Sequence, residues 1–558
     1  MRRILVPGET CQGIHDVEES GLVVDARHYY GEFCRSVLRA RRYVLMAGWQ
    51  FDSDVVLLRG DDAGQAGGGK TLLEFLQQVT RRNPELEVYI LAWDFSTLYT
   101  FKREWFQDFI FRWKTAQRVR FAFDDRHPVG ASHHQKLVVI DGQAAFAGGL
   151  DICSARWDDR RHLAHQPLRR DAGGRPYEPY HDMQGWVTGP AARELAGLFV
   201  HRWRNATGEE LSLADVPRGE GHRVTPDVRI DARRVAVART QGKTLVPEKA
   251  EIQEVRNLFI RAIASARELV YVENQYFTSE AVYRAFVERL KAEGMPKLQI
   301  VIVLPKRPHT FLEELSLGLA QTKMLHSLRE LARARGHDLG VYYTRAGSLG
   351  PGEEVSTYIH AKLLLVDDRF LTVGSANVTN RSMGLDTELN LAWEAASPED
   401  AGLGASIRAV RVDLLKEHTG LGDESGLREP RGLVRRLNAL AREDASRLRE
   451  HTMETFLQET RWLKDISPEN LVIDPGKAIV EENIYELVSH DKTGVFAQGI
   501  TILNDIFMRR RAKTSSKSTE VLPSRWFLMG RVVRSRWGIL LLALLLAVGA
   551  AAVWVFLL

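Results

Sequence analysis

The alternation of apolar and polar positions predicts an α/β chain built twice. Tyr29, Tyr30, Phe33, Val37 and Leu38 recur at helical spacing within 25–42, and the apolar run Tyr43-Val-Leu-Met-Ala-Gly-Trp49 follows as a buried strand. A helix over 71–81 and a strand over 87–93 continue the alternation, as expected of helices layered on a sheet. After Tyr180-His-Asp182, a helix over 191–204 closes this stretch. The order then returns. Helical spacing over 255–265 precedes the apolar run Leu269-Val-Tyr-Val272, and a helix over 280–291, a strand over 298–304, a helix over 312–335 and a strand over 339–344 follow. A helix over 406–418 ends the second series.

The two series also match residue by residue. Ala40-Arg-Arg-Tyr-Val-Leu-Met-Ala-Gly-Trp-Gln-Phe51 aligns in type and register with Ala266-Arg-Glu-Leu-Val-Tyr-Val-Glu-Asn-Gln-Tyr-Phe277, 226 positions on. A repeat of this length predicts two α/β-sandwich halves, related by a pseudo-twofold axis and sharing one site between them. Residues 1–205 form the first half. A polar stretch punctuated by Pro and Gly, 206–247, links it to the second, 248–420. Residues 425–508 change character: 428–463 are charged and helical in pattern, and no motif reveals their role. Residues 509–537 read as a basic, Ser/Thr-rich tether.

The last 21 residues, 538–558, are apolar throughout. As a helix they would be roughly 30 Å long, the thickness of a bilayer core. Arg531, Arg534 and Arg536 precede them, with Trp537 at the expected interface. The positive-inside tendency then predicts a single-pass C-terminal membrane helix with the catalytic part on the cytoplasmic side. The rest of the composition changes little. A net charge of +4 on 558 residues does not suggest a nucleic-acid coat, and Cys11, Cys34 and Cys153 form neither a disulfide framework nor a metal pattern. Met1-Arg-Arg-Ile-Leu-Val-Pro7 lacks the apolar core of a secretory signal.

The candidate chemistry is duplicated with the strands. Ser132-His-His-Gln-Lys-Leu-Val-Val-Ile-Asp141 contains His134, Lys136 and Asp141 at the spacing H-x-K-x4-D, and His360, Lys362 and Asp367 repeat it. Displacement at a phosphodiester needs a nucleophile, a proton donor for the leaving oxygen and positive charge around the phosphoryl oxygens. One imidazole can be the nucleophile, the other the general acid and then the base, and two ammonium groups can hold the charge. Asp141 and Asp367 complete the set, although their places at the far ends of strands suit a turn or an internal charge network better than substrate. This inventory calls for no metal and no cofactor: His133 adjoins His134, but no compact ligand set lies beside it in sequence.

A second motif belongs to another class. Gly64-Gln-Ala-Gly-Gly-Gly-Lys-Thr71 satisfies the phosphate-loop pattern, in which loop amides cradle phosphates and Lys70 reaches the terminal ones. The alternative is a flexible spacer between a strand and a helix.

The paired motif resembles the hallmark of the phospholipase D superfamily. Gly148-Gly-Leu-Asp-Ile-Cys-Ser-Ala-Arg-Trp-Asp158, Tyr180-His-Asp182, Val272-Glu-Asn-Gln-Tyr-Phe277 and Gly374-Ser-Ala-Asn-Val-Thr-Asn-Arg-Ser-Met383 resemble its phospholipase D branch, over roughly residues 20–420. The resemblance implies two α/β halves face to face, a covalent phosphohistidine resolved by water or an alcohol, His134 as nucleophile and His360 as acid. It implies phosphate-site roles for Asp151 and Asn377, each 17 positions after its histidine, and a pocket lined in part by Ser375. Asp182 and Glu388 become candidates to accept a hydrogen bond from the imidazoles. The implied activity is membrane-anchored cleavage of a glycerophospholipid headgroup to phosphatidic acid, with possible transfer to another alcohol; a cardiolipin synthase-like phosphatidyltransferase is the alternative. The implied partners are phospholipid, membrane and an acceptor, with no nucleic acid. Neither calcium nor phosphoinositide dependence carries over, because no module for either is recognisable.

Overall fold

The computed structural model describes residues 3–65, 67–93, 118–128, 130–216, 223–245, 248–307, 317–350, 353–451 and 474. The chain divides into units 1–480 and 481–558, and the expected tether and membrane helix lie outside the described residues. Among the described residues no helix is long and apolar enough to cross a membrane.

Two sheets carry the fold, mixed α/β as the periodicity predicts. Six strands of the eight-stranded sheet run, in spatial order, Met183–Thr188, Ala144–Gly148, Leu137–Ile140, Tyr43–Gly48, Glu87–Trp93 and Val119–Asp124. Six strands of the eleven-stranded sheet repeat that order as Glu388–Glu394, Phe370–Gly374, Lys362–Val366, Leu269–Asn274, Gln299–Val303 and Asp338–Gly350. In both, the strand after the motif histidine pairs antiparallel with the first strand of the repeat, which pairs parallel with the next. Helices Ala26–Leu38, Leu72–Arg82, Glu254–Ser265 and Glu280–Lys291 fall where the 3.6-residue spacing put them.

Side-chain alternation decides what each face meets. Leu45, Ala47, Leu137 and Val139 join Tyr271, Leu363, Leu365 and Val373 in one buried cluster between the sheets. Val44, Met46, Val138 and Ile140 turn the other way, onto the helix over 26–38, and Val270, Val272, Leu364 and Val366 pack on the helices of the second half. The motif strands are therefore buried on both faces, which explains their near-continuous apolar runs.

The halves exchange edge strands, so the division at 205 and 248 is not respected at the margins. Gly13–Asp16 adds antiparallel to Arg234–Gln241 in the second sheet, and Val228–Ile230 adds to Ser20–Val24 in the first. Each exchange pairs an edge that would otherwise be open. The charged segment after 425 also departs from its helical pattern. Among the described residues there, helices cover Ser425–Arg428 and Leu433–Leu440, and Leu448–Glu450 pairs antiparallel with 342–344. Farther on, Asp474 accepts hydrogen bonds from Thr278 Oγ1 (2.6 Å) and from the amides of Asn380 and Arg381 (3.1 and 2.8 Å).

Asp141 and Asp367, grouped with the catalytic residues in the sequence motif, belong to the scaffold. Asp141 accepts from the amides of Arg41, Arg42 and Tyr43 at 2.7–2.9 Å, and Asp367 from those of Arg267, Glu268 and Leu269, each at 2.8 Å. Each carboxylate thus ties the hairpin after the motif strand to the start of the neighbouring strand. Asp141 and Gly142 have φ of 53° and 63°, Asp367 and Asp368 of 55° and 48°, the left-handed values that turn a tight hairpin. Replacing Asp141 by Asn is expected to destabilise the fold by about 2–3 kcal/mol, because three amides, that of Tyr43 buried, lose a charged acceptor. Denaturant titration checks this, with turnover per folded molecule retained.

Candidate active site

The strand over 137–140 is entered through Ser132–Lys136, and the one over 362–366 through Thr357–Ala361. Each entry loop is pinned to the opposite half. The amide of His134 donates to Thr387 O (2.9 Å), and that of His360 to His181 O (2.8 Å). These crossings bring the two histidines to one site.

The carboxylates are exchanged in the same way. His134 Nδ1 lies 3.0 Å from Glu388 Oε2 and 3.1 Å from the Ser375 carbonyl. His360 Nδ1 lies 2.5 Å from Asp182 Oδ2. Each half therefore supplies one imidazole and the carboxylate that orients the other's. With Nδ1 committed, Nε2 is the atom each ring offers for chemistry. Glu388 also accepts from Ser375 Oγ (2.5 Å) and Ser382 Oγ (2.7 Å), and Asp182 from its neighbour's amide (Met183 N, 2.7 Å), so both carboxylates are fixed before they meet imidazole. A Cβ on Gly149 would stand 2.2 Å from Asp182 Oδ1, which is why that position takes no side chain.

Both lysines are buried. Lys136 Nζ donates to His134 O (3.0 Å) and lies 3.1 Å from Asp151 Oδ2; Asp151 also accepts from the Trp49 amide (2.9 Å). Lys362 Nζ donates to His360 O and to Gln275 Oε1 (3.2 Å). The symmetry is broken here, because the position equivalent to Asp151 is Asn377, whose buried Oδ1 has no hydrogen-bond partner.

Burial, then the cations around it, sets the electrostatics. Burial first, and Lys362, Arg156 and Lys136 next, hold His360 well below the usual imidazole range. Burial pushes Lys362 down to about 7 against the pull of Asp182, and pushes Asp182 up to about 7 against Lys362. An anionic phosphodiester bound beside them would favour the protonated forms of Lys362 and His360.

The sequence placed His134, Lys136, His360, Lys362, Glu388 and Asp182 here, and the structure brings them together. Ser375 is fully buried behind the site, its carbonyl 3.1 Å from His134 Nδ1 and its hydroxyl committed to Glu388. Asp151 is engaged with Lys136 and the Trp49 amide rather than free. Three residues of the quoted motifs that were given no individual role complete the surroundings. Tyr180 packs against the His360 ring at a tilt (centroids 5.2 Å apart, planes at 33°), the Arg156 guanidinium lies over the Tyr180 ring (4.9 Å), and Gln275 accepts from Lys362.

The glycine-rich loop over 64–71 is not a phosphate cradle. Gly68 N, Gly69 N and Leu72 N donate to Gln65 O, Leu58 O and Val55 O, so amides that would hold phosphate are used within the protein. Thr71 caps the next helix in a capping box with Glu74 rather than offering its hydroxyl to a metal.

The comparisons with known proteins agree with this geometry. A family model described as phospholipase D matches residues 36–298, and one described as cardiolipin synthase, PLD-like domain, matches 259–401. The chain is 24% identical over 563 residues to phospholipase D alpha 1 of Carica papaya, covering 76% of this chain and 68% of that protein. It is 24% identical over 472 residues to phospholipase D A of Dictyostelium discoideum, covering 72% of this chain and 35% of that one. Among solved structures, the phosphatidylserine synthase of Haemophilus influenzae superposes with a TM-score of 0.49 at 14% identity, over 77% of this chain and 94% of that chain. The two family models together take in both histidine–lysine pairs and the interlocked strands that carry them, and the chain belongs to the phospholipase D superfamily.

Proposed function

We propose that this chain is a phospholipase D: a phosphodiesterase that releases the headgroup of a glycerophospholipid and leaves phosphatidic acid. The observation that carries this reading is the exchange of orienting carboxylates between the halves, which leaves two imidazole Nε2 atoms and two buried ammonium groups for one phosphodiester. His134 Nε2 attacks phosphorus, and the headgroup oxygen leaves with a proton from His360 Nε2. His360 then takes a proton from water, whose oxygen attacks the phosphohistidine and frees His134. A primary alcohol in place of water gives transphosphatidylation. Lys136 and Lys362 meet the charge that develops on the phosphoryl oxygens. The apolar stretch 538–558 serves as a membrane anchor, with the catalytic part on the cytoplasmic side.

Two observations favour variants of this scheme. The depressed basicity of His360 keeps it neutral in the free site, as a nucleophile requires, and this suits an exchange of the two histidine roles. The match of 259–401 to a model described as cardiolipin synthase favours a lipid alcohol as acceptor. One experiment separates them. Purified protein is mixed with defined phospholipids, with and without a primary alcohol or phosphatidylglycerol, and acid-labile phosphohistidine is located by mass spectrometry after a rapid quench. Phosphatidic acid with label on His134 is expected. Label on His360 reverses the roles, and product only with the lipid acceptor favours the synthase. Absence of any headgroup release would sink the proposal.

A further inference from the structure

On the far side of Asp182 lies a second cluster that the chemistry above does not use. Asp25, His162, His181 and Glu417 are each at most 5% exposed and come from four separate parts of the chain. One ligand-type atom from each lies within 4.8 Å of every other. His181 Nδ1 stands 2.9 Å from Glu417 Oε1 and 3.1 Å from Asp25 Oδ1; His162 Nε2 stands 2.8 Å from Glu417 Oε1 and 3.3 Å from Asp25 Oδ2. Four donors around a tetrahedral ion at about 2.0–2.1 Å would be about 3.3 Å apart, close to this spacing.

Two further observations point to a ligand at the centre. Asp25 Oδ2 and His181 Nδ1, buried and aimed into the cluster, approach its other members at 2.9–3.3 Å without an aligned hydrogen bond. Each imidazole also carries a carboxylate on its outer nitrogen: Asp158 Oδ2 at 3.0 Å from His162 Nδ1, and Glu273 Oε2 at 3.0 Å from His181 Nε2. With an ion bound, that outer carboxylate would hold the tautomer whose inner nitrogen presents a lone pair, the arrangement found behind metal-bound histidines. Arg160 takes the other oxygen of Glu417 (2.6 Å), so Glu417 offers one oxygen inward. A cavity of about 360 Å³ lined in part by Asp25, Arg160 and Asp227 opens beside the cluster.

We propose that Asp25, His162, His181 and Glu417 bind one divalent transition-metal ion of the zinc type as a closed structural site. Two imidazole nitrogens and two carboxylate oxygens suit zinc better than calcium, which takes six to eight oxygens. The two carboxylates balance the ion's charge, and four protein donors leave no open position for catalysis. The ion has a positioning role. The His181 carbonyl accepts from the His360 amide, the Asp25 amide donates to Asp182 O (2.8 Å), and Asp182 holds the His360 ring. One ion would thus fasten both halves directly behind one catalytic histidine. No linear motif announces the site, which is why the sequence suggested no metal.

The test is metal analysis of the full-length protein, purified in detergent without added metal or chelator. About one equivalent of a zinc-type ion per chain is expected, with an X-ray absorption shell of nitrogen and oxygen. Prolonged dialysis against a chelator should lower Tm by several degrees, and zinc chloride, not calcium chloride, should restore it. His162→Gln and Glu417→Gln should each lose the ion, whereas His134→Ala should keep it. A metal-free protein whose Tm ignores the chelator would overturn the proposal, since protonated histidines alone would then hold the cluster. So would an ion retained by both variants, or recovery with calcium alone. The wild-type stoichiometry decides even if a variant fails to fold.

Discussion

Replacing either His134 or His360 by alanine is expected to lower headgroup release by at least about a thousandfold while the protein still folds. The magnitude follows from the roles. Loss of the nucleophile removes the covalent route, and loss of the acid strands the leaving oxygen; residues that act as a unit give similar losses singly and together. The double variant should therefore be little worse than either single one. Folding is spared because neither imidazole fills a core. Each makes its polar contacts through Nδ1 at the mouth of a strand whose apolar residues are untouched. Initial rates on defined vesicles, beside circular dichroism and thermal melts, check the pair. Substantial turnover by either variant would rule out a two-histidine mechanism.

Asp182→Asn and Glu388→Gln should produce the second largest loss, about a hundredfold to ten-thousandfold in kcat, with KM less affected. Neither carboxylate touches the reacting atoms, so both are positioning residues. An amide can present its NH2 to Nδ1, which favours the tautomer with the proton on Nε2 and withdraws the lone pair that attack or proton uptake requires. Rescue by Asp182→Glu or Glu388→Asp should be partial. The pH profile separates this role from a structural one. The profile of kcat/KM reports groups in the free enzyme, where Lys362 is pushed down to about 7. Phosphate binding needs this amine protonated, so kcat/KM should fall as pH rises through about 7. Asp182 and Glu388 both favour the protonated amine. Removing either charge lowers the Lys362 pKa further, and the basic limb should move to lower pH. A limb that stays in place would mean that Lys362 does not set it.

Much of this was legible in the chain because it depends on local order. Period-two and period-3.6 patterning reports which faces are buried, and a repeated pattern reports a repeated fold, so the strands at 43–48 and 269–274 and the helices around them could be placed without coordinates. The H-x-K-x4-D spacing was legible for a physical reason at both ends. Its histidine and lysine lie at the strand's mouth, and its aspartate reaches back to three amides leading into the strand beside it. The spacing alone could not separate those duties, since chemistry and scaffold constrain the same short stretch; only the amide contacts of Asp141 and Asp367 do.

Partnership across the chain was decided by tertiary structure. Glu388 is 254 residues from His134, and Asp182 is 178 from His360. Asp25 and Glu417 meet from opposite ends of the catalytic region. No periodicity encodes such pairings, because they arise where the two sheets pack face to face and exchange edge strands. The glycine-rich loop makes the same point in reverse: its pattern is local, but whether its amides are free for phosphate depends on the preceding residues, Val55 and Leu58, that fold back on it. The chain by itself determined two halves and the side chains capable of the chemistry. The packing of one half against the other determined which carboxylate orients which imidazole, and how far burial shifts the charges beside them.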